Sequence, residues 1–393
     1  MKRAQAAVST TAPTGFRIPG LDGLRAFAVL TVFVGHAGLH SYLPFLPGAG
    51  TGVTIFFFLS GYLITSLLRR EFSQAGRVSI RDFYLRRVLR ILPPLYLFVA
   101  ASILLTSAGA VAGRVTGYGL LAALFHFTNF TEIWGNPHLL LPGAGVLWSL
   151  SIEEHFYLVF PLFYAVMSRH LSRRNQAKLL LGLCILALVW RCILVFGLGD
   201  GYNRTYFGTD TRADSLLGGC LLAVYLNPVF DELPSRVEKW IAAPGLAVAT
   251  LLGGGILVVA AQQLSSRLAA VFEPTIQLIG LYVAFTVLLR APQTWVGRLL
   301  EWGPVVRLGV LSYTFYLFHG LILEAIDHST SLPVLPTAVV AFVVVWVICE
   351  AINRAVEQPL ARLRRRLSHQ RTRAVKPAAQ APTAVLGLES SAD

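Results

Sequence analysis

The stretch LDGLRAFAVLTVFVGH, residues 21–36, is apolar enough to enter a bilayer, yet it carries Arg25 and His36. Eleven residues at 100° each bring a helix back to within about 20° of its starting direction, so the two side chains share a face, about 16 Å apart along the axis. Taken singly, each has an ordinary explanation. Arg25 snorkels to the inner interface, and His36 is an interior polar group with a partner. On one face together, an anchored cation and a base suit a long anionic donor, held at one end and reacting at the other. Ionisable groups among apolar surroundings are costly and mark function.

Outward from that helix, the composition fits a membrane. The chain has 393 residues, 55% hydrophobic and 13% charged, against about a quarter charged in soluble domains. Residues 91–113, 241–266 and 329–349 contain no Asp, Glu, Lys or Arg. Each run is long enough to cross a hydrocarbon core of about 30 Å. The net charge of +13 does not point to nucleic acid, because the basic residues cluster in particular loops, as positive-inside sorting produces. Cys184, Cys192, Cys220 and Cys349 lie in apolar segments at spacings that suit neither zinc nor a disulfide framework. No metal site is expected. Residues 1–20 lack the apolar core of a cleavable signal.

The expected fold is all-α: a polytopic membrane protein of about ten transmembrane helices, with both termini cytoplasmic. The spans fall near 24–40, 50–68, 91–111, 147–167, 179–198, 213–227, 241–260, 274–290, 305–323 and 334–353. Arginine-rich loops at 69–90 and 168–178 belong in the cytoplasm. That placement requires 112–146 to be an interfacial or re-entrant outer segment, as its Pro137, Pro142 and Gly143 also indicate. Residues 1–17 form a cytoplasmic segment, 18–360 the membrane domain, and 361–393 a basic tail that becomes rich in Ala, Ser, Thr and Pro, and disordered. No internal repeat supports an inverted-repeat transporter.

Five constellations carry the chemistry. Arg25 and His36 are the first. In FYLRRVLRILPP, Arg87 and Arg90 are neighbours on a helical turn. Positive-inside anchoring explains the charge there, but not the absence of lysine from 69 to 90, whereas guanidinium forks suit phosphate. In WSLSIEEHFY, Glu153 and Glu154 enter an otherwise apolar helix from the outer side. They are either an interfacial acidic pair or a carboxylate that orients His36 and stabilises its imidazolium. In TRADSLLGG, Arg212 and Asp214 read as a structural ion pair. In LSYTFYLFH, Tyr313, Tyr316 and His319 fall on one side of a helix, as packing or as the lining of a substrate entrance. Ser60 and Tyr62, in LSGYLI, are candidate oxyanion donors.

At these residues the chain resembles the acyltransferase-3 family of integral membrane O-acyltransferases. LDGLRAFAVLTVFVGH, FFFLSGYLIT, RRVLRILP, WSLSIEEHFY, TRADSLLGG and LSYTFYLFH occur in the family's order over about residues 18–360. The resemblance implies transfer of an acyl group, most often acetyl, from cytoplasmic acyl-coenzyme A to a hydroxyl. The implied acceptor is a sugar of a surface polysaccharide, lipopolysaccharide or related glycan, with a macrolide as the alternative. It implies His36 as the essential histidine, Arg25 its partner, Arg87 and Arg90 the donor-binding pair, and Glu153 the glutamate of the WSL-x-x-E pattern. Glu154 occupies a position that varies. The expected setting is the bacterial cytoplasmic (inner) membrane, as the membrane-only form of the family. Without the resemblance, a proton-coupled transporter or flippase explains the same intramembrane ionisable groups.

Overall fold

Each of the ten apolar stretches contains a helix in the computed structural model, which describes residues 18–363 apart from residues 44, 45 and 233. The expectations for residues 1–17 and for the tail beyond 363 lie outside the described residues. The helices are α1 (Leu21–His36), α2 (Ala49–Ala75), α3 (Ile80–Ser107), α4 (Leu147–His170) and α5 (Arg173–Cys192). They continue with α6 (Thr209–Val224), α7 (Pro244–Ala260), α8 (Ser266–Arg290), α9 (Gly303–Ser329) and α10 (Val334–Ile352). No strand occurs among the described residues. The protein is an all-α polytopic membrane protein.

By length and composition, seven helices among the described residues qualify as spans, against the ten expected. The three that fall short do so for physical reasons. Both α1 and α6 have 16 residues, about 24 Å at 1.5 Å per residue, less than the hydrocarbon thickness. Helix α4 is long enough but carries Glu153, Glu154 and His155. The stretch 112–146 forms only short helices, Gly117–Leu124 and Thr128–Trp134, and single turns at Pro137–Leu139 and Ala144–Val146. None can cross a bilayer. Thr128 bonds Ser151 of α4 at 2.9 Å, and Asn129 donates to Thr209 of α6 at 3.2 Å, so this segment is tied onto the bundle.

Small residues set the closest helix approaches, as expected where van der Waals packing holds helices together. A Cβ at Gly309 of α9 would collide with the Asp22 carbonyl of α1. The same holds for Gly61 of α2 against the Leu216 carbonyl, and for Gly219 of α6 against the Phe58 carbonyl. Gly309 thus brings α9 onto α1, the other two glycines bring α6 onto α2, and α1 packs between α2 and α9. Phe33, Phe315 and Phe342 pack edge-on or tilted, with centroids 5.3–5.7 Å apart, and lock α1 to α9 and α10. Helix α2 ends at Gly76, whose left-handed φ of 66° lets its N–H reach the Phe72 carbonyl.

The proposed orientation, with 69–90 cytoplasmic and 112–146 outside, is testable with exposed positions. In intact cells, a membrane-impermeant thiol reagent should label His138→Cys. It should label Gln74→Cys only after permeabilisation. The reverse pattern would invert the topology.

Candidate active site

His36 ends α1 and is exposed toward a cavity of about 600 Å³. Its Nδ1 lies 2.8 Å from Nε2 of His319 on α9. The His319 ring is fully buried, and its Nδ1 lies 2.7 Å from the Tyr316 carbonyl oxygen. The same cavity is lined by Trp148, Glu324 and Asp327 and by backbone of Gly143 and Gly145. Glu324 accepts from the Gly143 N–H at 3.1 Å.

A second, narrower cavity of about 90 Å³ carries the arginines. Arg25, Arg87 and Arg90 line it together with Ser60, Glu153, Tyr157 and Tyr313. Arg25 is paired with Asp22 one turn back, at 2.8 Å. The Arg87 guanidinium lies over the Tyr157 ring, 4.5 Å from its centroid. Ser149 and Tyr316 close the far end. The Tyr316 hydroxyl is 2.7 Å from the Ser149 hydroxyl and donates to the Val146 carbonyl at 3.0 Å. Val146 lines the other cavity. The Tyr316 hydroxyl, which belongs to one cavity, is thus hydrogen-bonded to a residue that lines the other.

Several expectations meet this geometry differently. Arg25 and His36 line different cavities, and Tyr316 and Ser149, whose hydroxyls are in contact, line the one that holds Arg25. Glu153 does not orient His36. Its oxygens accept from Ser60 at 2.8 Å and Tyr157 at 3.0 Å, and the ring nitrogen of His36 is taken by His319 instead. His319 does not line an entrance, since it is fully buried. Tyr62 is no oxyanion donor: it is buried and donates to Asn227 at 3.1 Å. Ser60 does face the arginine cavity. Tyr313 faces it as well and donates to the Ile91 carbonyl at 2.9 Å. Glu154 leaves one buried oxygen without a partner.

Arg212 and Asp214 are not a pair. Residues two apart on a helix point to different sides, and each finds its partner on another element. Arg212 donates to Thr54 of α2 at 2.8 Å and lies over Phe57 and Tyr206. Asp214 pairs with Arg191 of α5 at 2.7 Å, with both side chains fully buried. Arg191 also donates to the carbonyls of Thr211 and Val271 and to the Thr275 hydroxyl. Sequence reasoning missed Arg191, although an arginine inside an apolar span is itself the signal of a buried partner. It also missed Glu324 and Asp327. Their three-residue spacing just beyond His319 puts both near the same face of α9.

Among the described residues, no cluster of His, Cys, Asp and Glu could hold a metal ion. The described residues form a helical membrane bundle with a histidine pair at one cavity and three arginines lining another. Residues 18–353 match the acyltransferase-3 family model, described as an acyltransferase domain, and the chain belongs to that family.

Relatives include the candidate peptidoglycan O-acetyltransferase YrhL of Bacillus subtilis, 31% identical over 87% of this chain and 55% of that protein. The O-acetyltransferase OatA of Staphylococcus aureus is 30% identical over 77% of this chain and 50% of its own length. The chain spans about half the length of the curated relatives it matches. No solved structure matches.

The Arg191–Asp214 pair predicts a stability effect separate from the site. Asp214→Ala leaves a buried guanidinium uncompensated and should cost about 3–5 kcal/mol. Thermal unfolding in detergent should show this as a clear fall in Tm, with a smaller fall for the double Arg191→Leu/Asp214→Leu variant. An unchanged Tm for Asp214→Ala would refute the pairing.

Proposed function

We propose that this chain is the membrane module of an O-acyltransferase that moves an acetyl group from acyl-coenzyme A to a sugar hydroxyl of a cell-envelope glycan. The observation that carries this reading is the pair of cavities, one lined by Arg25, Arg87 and Arg90 and the other by His36, linked by the hydrogen bond from Tyr316 to Val146. Guanidinium groups bind phosphates bidentately and keep their charge. Three such groups line the narrower cavity. The phosphates of the donor therefore belong at its arginine end, with the pantetheine arm directed toward Tyr316.

The wider cavity suits the acceptor. Trp148 offers an aromatic face, and Glu324, Asp327 and backbone groups offer hydrogen bonds to hydroxyls. Its carboxylates disfavour an anionic acceptor. His36 takes the proton from the attacking hydroxyl as general base. The hydroxyl oxygen bonds to the thioester carbonyl carbon, the carbon–sulfur bond breaks, and the proton passes from His36 to the departing sulfur. The products are an ester and free coenzyme A thiol. Passage of the acetyl end requires the Tyr316–Ser149 contact to part. The names of the relatives support acetyl as the group moved and a glycan as acceptor. The setting proposed is the bacterial inner membrane, with the donor drawn from the cytoplasm.

Membranes carrying the protein should release free thiol when given acetyl-coenzyme A and acceptor, a dependence that a transporter would not show. His36→Ala should lower that release by about 10²–10⁴-fold, the range of general base catalysis. Near-normal release from His36→Ala would remove the assignment. Arg87→Ala should chiefly raise the KM for acetyl-coenzyme A, and Arg87→Lys should recover little of it. Mass spectrometry that traps an acetyl group on His36 without acceptor would replace direct transfer by an acyl-histidine route.

A further inference from the structure

We infer that His319 is the positioning residue of His36, and that it fixes Nε2 as the reactive nitrogen of that ring. The inference rests on the reading of His36 as the base. The chain of hydrogen bonds has one consistent assignment. The Tyr316 carbonyl oxygen can only accept, so the His319 nitrogen 2.7 Å from it, Nδ1, carries the proton. A neutral His319 then presents Nε2 as a bare lone pair. His36 Nδ1, 2.8 Å away, must donate to it. In a neutral imidazole the remaining nitrogen has no proton. Nε2 of His36 is thus left as a lone pair on the ring that opens to the wide cavity.

The surroundings support the arrangement. His319 is fully buried, and its backbone belongs to the long helix α9, so its ring is held on two sides. The two rings are inclined by 28°, with centroids 5.0 Å apart. The carboxylate expected in this role, Glu153, is committed to Ser60 and Tyr157. A neutral imidazole orients its neighbour without placing an ionised group deep in the bundle, which would be costly there. The orienting role that a buried carboxylate plays in the serine-protease triad falls here to an uncharged ring.

The test reads the tautomer directly. The full-length protein, labelled with ¹⁵N-histidine and held in nanodiscs, should show His36 as a neutral ring protonated at Nδ1, its signals assigned by their loss in His36→Gln. In His319→Phe the His36 proton should move largely to Nε2, the form free imidazole side chains favour. In parallel, His319→Phe should lower kcat about 100-fold or more with little change in the KM for acetyl-coenzyme A. His319→Gln, whose amide oxygen can still accept from Nδ1 of His36, should recover most of that loss. Finding His36 protonated at Nε2 in the unaltered protein would overturn the inference, whatever the activity. So would full kcat in His319→Phe. If the tautomers are as stated while no variant, nor the unaltered protein, transfers acetyl, the positioning role stands and the acyltransferase reading fails.

Discussion

The contact between α1 and α9 governs the placement of Arg25, His36 and His319. Gly309 lets the two backbones approach where the Asp22 carbonyl leaves no room for a side chain, and the Phe33–Phe315–Phe342 cluster holds them there. This fixes their register. His36 meets His319 at one end, while Arg25, about 16 Å along the helix, reaches the arginine cavity. A shift of one helical turn between α1 and α9, about 5.4 Å, would part the histidines.

The charges follow a pattern set by the cost of burying ions in a bilayer. Arginines gather around one narrow cavity, where a polyanionic donor would neutralise them. The histidine pair needs no counter-ion. Arg191 and Asp214, fully buried away from both cavities, face each other with further hydrogen bonds around them. That pair ties α5 to α6 and serves architecture rather than chemistry.

Much of this was legible in the chain. Composition and uncharged runs indicated the helical membrane fold, and each of the ten apolar stretches holds a helix. The shared face of Arg25 and His36 on α1, and the adjacency of Arg87 and Arg90 on one turn of α3, followed from helical periodicity. Periodicity within one helix, however, does not say which helices meet. Thus the sequence leaves His319 as packing or as an entrance residue, and only the fold puts it against His36. Asp214 was assigned to Arg212, its neighbour in sequence, when its partner lies on α5. Ser60 and Tyr62 lie two apart in sequence, and residues two apart on a helix diverge by about 160°. Their partners, Asn227 and Glu153, lie on opposite sides of α2. Length and composition alone qualify seven helices as spans among the described residues, because α1 and α6 are short and α4 carries Glu153 and Glu154.

Sidedness tests the two-cavity account most directly. Sealed right-side-out vesicles containing the protein would be loaded with acetyl-coenzyme A labelled in its acetyl group, and a sugar acceptor supplied only outside. The account predicts labelled ester outside and free coenzyme A thiol retained inside, both lost in His36→Ala. Label that reaches the acceptor only when donor and acceptor share one side of the membrane would contradict it.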